Sequence, residues 1–106
     1  MDPFDMSNLG GLIGGIQQKM AQFKEDLPKL RAEGSSGGGL VKVLVSGDNE
    51  VISVSISDEA MDDREMLEDL VRAATTEAFR SIKEQIAAKM REATGGLPIP
   101  PGLMPF

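Results

Sequence analysis

The chain has 106 residues, 17 of them acidic and 11 basic, for a formal net charge of -6, and that length leaves room for one domain around one modest core. Cys, His, Trp and Tyr are all absent, which removes disulfides, thiolate nucleophiles, imidazole bases and Cys/His zinc sites together and points away from an enzyme. No apolar run reaches the ~18 residues of a membrane span, the N-terminus has no basic region followed by an apolar stretch, and a cysteine-free chain suits a reducing compartment, so the expected location is cytoplasmic.

Residues 1–11 carry Pro3, Gly10 and Gly11, with Gly14 and Gly15 just beyond, and predict a flexible N-terminus with a helix starting near Leu12. From there Ile13, Ile16, Met20, Phe23, Leu27 and Leu30 fall at intervals of three and four, a heptad-like seam. Such a seam either packs on the sheet of its own chain or also pairs with a helix of a second subunit. Pro28 lacks a backbone donor and should end or kink this helix.

The glycine cluster in SSGGG, residues 35–39, is a turn and not a phosphate loop, because a strand follows it where a phosphate cradle needs a helix N-terminus. Residues 29–34 could add an edge strand ahead of the hairpin that follows. In that hairpin a four-residue loop of Gly47, Asp48, Asn49 and Glu50 would pair Val45 with Ile52, Val43 with Val54 and Val41 with Ile56, all on one buried face. The other face mixes Lys42, Ser46, Ser53 and Ser55 with Leu40, Leu44 and Val51.

Asp62 and Glu65 read as a capping box at the start of a helix that meets no Gly or Pro before Gly95. It runs ~32 residues or ~48 Å, against a radius of gyration of ~13 Å for a compact chain of this size. It must overhang the sheet. Phe79, Ile82, Ile86 and Met90 on its far half then need another surface, supplied by the first helix, a second copy of the chain, or both. With Ile16, Met20 and Phe23 of the first helix, these are the candidate dimerisation residues. Residues 95–106, GGLPIPPGLMPF, stop the helix and continue as an apolar, proline-rich tail suited to docking. The domain plan is therefore a flexible 1–11, one α/β unit over 12–94, and the tail.

The net acidity is uneven. Residues 45–69 hold nine acids against Arg64 alone, whereas residues 12–44 hold five bases against three acids, and residues 70–94 likewise. On the last helix Arg72, Arg80, Lys83 and Arg91 share an arc of about 100°, along which a phosphate backbone could run. An ordinary solvated face with pairs such as Glu68 and Arg72 explains the same row. No metal site or cofactor is expected, since capping and turn chemistry account for the acids.

SGGGLVKVLVSGDNEV followed by REMLEDLVRAATTEA, then KM, TGGL and a PPG-containing tail, resembles the YbaB/EbfC family of bacterial nucleoid-associated proteins from about Ile16 to Phe106. The chain departs from the family at Pro28 and at Ser57-Asp58, where Asp-Pro commonly follows the last strand. The resemblance implies an α+β homodimer: a long N-terminal helix, a small antiparallel sheet of two to three strands, and a long C-terminal helix, continuous or broken in two, the helices projecting like tweezer arms around duplex DNA. By element and charge it implies DNA contacts from Lys19 and Lys24 on the first helix and from Arg80, Lys83, Lys89 and Arg91 on the last. The function it implies is duplex binding through phosphates with little base readout, affecting nucleoid organisation or gene expression. A reading from another class is a protein-interaction adaptor or assembly subunit linked to DNA repair or replication, with the tail recognising a protein partner.

Overall fold

The computed structural model describes the backbone of residues 6–94 and the side chains of residues 14–93. Helix α1 (Met6–Asp26) leads through a 3-10 turn (Leu27–Lys29) into strands β1 (Arg31–Ser36), β2 (Val41–Ser46) and β3 (Val51–Ile56). A second 3-10 turn (Asp58–Asp62) then opens helix α2 (Arg64–Thr94). The fold is α+β, with an antiparallel meander in the order β1-β2-β3. The edge strand anticipated before the hairpin is β1. α2 is one unbroken helix of 31 residues. The apolar tail lies outside the described residues.

α1 begins at Met6, six residues ahead of the start that the glycines implied. Glycine weakens a helix by roughly 1 kcal/mol but keeps its N–H, so the hydrogen-bond ladder continues through it. Pro28 has no N–H to give. Accordingly α1 ends at Asp26, and Pro28 sits inside the 3-10 turn.

The hairpin register differs from the expected one by a single residue. Val41 faces Ile56 and Val43 faces Val54, but Val45 faces Val51, with an irregularity between Leu44 and Val45. The cause is the turn. Asn49 adopts a left-handed φ of 64°, and Ser46 N–H donates to Glu50 O at 2.9 Å, so the loop holds three residues instead of four. One residue of β3, Ile52, is then surplus, and the bulge absorbs it.

α2 lies across β1 and β2. A Cβ on Gly34 would stand 2.0 Å from the Ala74 carbonyl oxygen and 2.3 Å from the Ala78 nitrogen, so glycine on the strand and alanines on the helix let the two backbones touch. Two side-chain bonds pin the ends of this contact: Ser36 Oγ donates to Leu70 O at 2.6 Å, and Gln85 Nε2 donates to Arg31 O at 3.0 Å. Under the helix, Ala32, Val41, Val43 and Val45 join Ala74, Ala78, Ile82 and Ile86 in the core. Phe23 of α1 and Leu27 of the 3-10 turn extend that core to Met90, so α1 lies along the C-terminal part of α2 as it approaches the sheet.

The six β-branched hairpin residues do not share one buried face. Val41, Val43 and Val45 are fully buried, whereas Ile52, Val54 and Ile56 are 42, 48 and 38% exposed. Geometry accounts for the difference: a helix ~10 Å wide covers two strands ~4.8 Å apart and leaves the third open. At the start of α2 the cap also sits one residue later than expected. Asp63 Oδ1 accepts from Met66 N–H at 3.1 Å, so Asp63 is the cap, Asp62 belongs to the 3-10 turn, and Glu65 is one position short of closing a capping box. The whole measures 71 × 19 × 19 Å, a short body continued by a two-helix arm.

Candidate nucleic-acid interface

The candidate cations are spread along both helices. Lys19 and Lys24 on α1 and Arg72, Arg80, Lys83, Lys89 and Arg91 on α2 are all exposed. Helical spacing puts Arg72, Arg80, Lys83 and Arg91 on one flank of α2, and Lys89 on the other side of the buried Ile86–Met90 seam. The pair expected between Glu68 and Arg72 does not form, because Glu68 bonds Arg64 at 3.2 Å. Lys19, Lys24, Arg72, Arg80, Lys83 and Lys89 make no ion pair with any described residue.

Arg80 and Lys83 differ from the rest in having a second wall opposite them. With Thr75, Thr76 and Phe79 of α2 and Asn49 of the β2–β3 turn they line an open depression of about 610 Å³. The left-handed residue that shortens the turn thus also faces the basic flank of α2. Sequence spacing does not reveal this, because Asn49 is remote from α2 in the chain and is brought to it only by the fold.

The seven candidate dimerisation residues are spent largely inside the chain. Phe23, Ile82, Ile86 and Met90 are at most 5% exposed, and Met20 and Phe79 pack against the same cluster. Ile16, at 44%, is open. Among the described residues the main apolar surface left uncovered is instead on β3, where Val51, Ile52, Val54 and Ile56 are all exposed, with Met61 and Met66 exposed just after it in the chain. The signal for this in the sequence is one of proportion: two strands rich in Val and Ile, a third strand beside them, and a single helix to cover all three.

Among the described residues no group of three or more acidic side chains is arranged to hold a metal ion, and no helix is long and apolar enough to cross a membrane. The acids at residues 58–65 occupy the second 3-10 turn and the first turn of α2, where carboxylates favour the helix N-terminus.

The sequence pattern of the YbaB/EbfC DNA-binding family matches residues 1–97. The chain is 46% identical over 104 residues to a nucleoid-associated protein of Polynucleobacter necessarius subsp. necessarius (strain STIR1), covering 92% of this chain and 97% of that protein. It is 45% identical, with the same coverage, to a nucleoid-associated protein of Polynucleobacter asymbioticus (strain DSM 18221 / CIP 109841 / QLW-P1DMWA-1). Its fold is similar to the crystal structure of an uncharacterized protein from Helicobacter pylori, with a TM-score of 0.70 and 26% identity over 84% of this chain and 96% of that one. The resemblance carried by the hairpin, the LEDLV helix and the TGGL segment is thereby borne out, and the chain belongs to the YbaB/EbfC DNA-binding family, whose name describes nucleic-acid binders and not enzymes.

Proposed function

We propose that this protein is a nucleoid-associated protein that binds duplex DNA as a homodimer, through phosphate contacts from its projecting helices and with little direct base readout. Its effect on the cell is then on nucleoid organisation or gene expression, exerted in the cytoplasm. The observation that carries this reading is the set of exposed cations on the two helices that have no ion-pair partner on the described chain: Lys19, Lys24, Arg80, Lys83 and Lys89. Arg91, also exposed, continues it. Family membership and the names of the relatives support the same conclusion. Residues 45–69 hold nine of the 17 acids, so the overall charge of -6 is not the local charge of residues 12–44 or 70–94, where bases outnumber acids and a phosphate backbone can be held.

The homodimer is supported by β3. Covering a half-open Val or Ile is worth about 1 kcal/mol, and a symmetric pair gains this at both copies of Val51, Ile52, Val54 and Ile56 against the entropy of association. The test replaces Lys83, Lys89 and Arg91 together by Glu. Duplex binding should be lost in an electrophoretic or anisotropy assay while the circular dichroism spectrum and the solution mass are retained. Binding that persists unchanged in this variant refutes the assignment of the arm.

A further inference from the structure

We propose that the depression between the β2–β3 turn and α2 is a phosphate seat, taking one phosphate group of a nucleic-acid backbone or of a free nucleotide. The proposal rests on the DNA-binding reading above and gives it a location that helix charge alone does not.

The lining decides the chemistry. Four side chains that bring hydrogen-bond donors meet there: the Arg80 guanidinium, the Lys83 ammonium, the Thr76 hydroxyl and the Asn49 amide. None of the four makes a side-chain hydrogen bond or ion pair with a described residue. The Thr75 hydroxyl, by contrast, is already occupied, donating to Val71 O at 2.7 Å. No carboxylate lines the depression. The nearest acids in the chain are Asp48 and Glu50, on either side of Asn49, Glu77 beside Thr76, and Glu84 beside Lys83; Glu77 forms no ion pair with a described residue. Asp48 accepts from the Ser46 hydroxyl within the hairpin, and Glu84 forms no ion pair with Arg80.

Donors without a carboxylate select an anion, and a guanidinium beside an ammonium suits a phosphate, whose several oxygens can accept from a fork and from a point charge at once. Thr76, Arg80 and Lys83 follow one another at i, i+4 and i+7, so they line one flank of α2. Asn49 faces them from a turn held by its own N–H, which donates to Ser46 O at 3.1 Å. Half-buried Phe79 supplies an apolar wall on which a sugar or base edge can rest. A volume of about 610 Å³ admits a phosphate together with its sugar.

The test titrates 15N-labelled full-length protein with a short random-sequence duplex and, in separate arms at matched ionic strength, with deoxythymidine monophosphate and with inorganic phosphate. The duplex should shift the amide signals of Asn49, Thr76, Arg80 and Lys83. Arg80→Gln with Lys83→Gln should keep the amide spectrum of the fold, lower duplex affinity about tenfold or more, and flatten the slope of log Kobs against log salt by about one unit for one seat engaged and about two for both seats of a dimer. Asn49→Asp, which adds a negative charge at the mouth and leaves both cations in place, should weaken binding several-fold. If both variants bind duplex like the parent while Lys89→Gln with Arg91→Gln does not, the seat is overturned and the DNA-binding reading survives. Where the parent ignores duplex at low salt but the mononucleotide or phosphate shifts these four amides, the seat stands as a site for the free ligand. Silence in every arm overturns the seat and the reading together.

Discussion

Gly34 shows how much of the architecture rests on single positions. Its missing side chain lets Ala74 and Ala78 of α2 sit directly on β1, and every donor on the α2 flank takes its height above the sheet from that contact. Gly34→Ala should cost about 3 kcal/mol or more, because the clash is with backbone on both sides and neither partner can rotate away. A urea titration checks this, and a midpoint unchanged from the parent would contradict the packing described. Asn49 is the second such position, where a left-handed φ shortens the loop and sends the surplus residue into a bulge. Neither role was visible in the sequence. A glycine in a strand and an asparagine in a turn are ordinary there, and what makes these two particular is contact with elements dozens of residues away.

At the scale of elements, alternation in VKVLVS and VISVSI placed β2 and β3, the long run free of Gly and Pro before Gly95 placed α2, and the seam from Ile13 placed α1 in all but its start. What periodicity could not supply was width. The same pattern that marks Val54 and Ile56 as inward-facing carries no information on whether a helix lies over them, and α2 stops at β2. β3 is consequently an apolar edge with its inner face open, an arrangement that monomeric proteins avoid. Val54→Asp should therefore leave the α+β spectrum of each subunit in place while shifting the sedimentation mass toward that of one chain. A variant that keeps the parental mass would remove β3 from the proposed interface. The helical seam is a matching case on the other side: Phe23, Ile82, Ile86 and Met90 were legible as apolar stripes, but that they are buried within their own chain is visible only in the fold.

For the whole molecule, shape and charge work together. A chain 71 Å long and 19 Å across has far more surface than a compact one of equal size, and its bases prevail in residues 12–44 and 70–94 while its acids cluster in residues 45–69. The sequence disclosed this separation through the opposite signs of its segments, and it disclosed the overhang through the length of the last helix. It did not disclose the depression beside Asn49, which exists only once the hairpin turn is folded against α2. An acidic protein built in this way should bind DNA by local counterion release, with affinity governed by salt and hardly by sequence.

The most direct measurement is the affinity of the purified protein for two duplexes of unrelated sequence across a range of salt concentrations. With six candidate cations on each subunit and about half of them engaged in a dimer, log Kobs should fall against log salt with a slope near about -5, the same for both duplexes. A flat salt dependence, or no association with either duplex at the lowest ionic strength, would contradict the account.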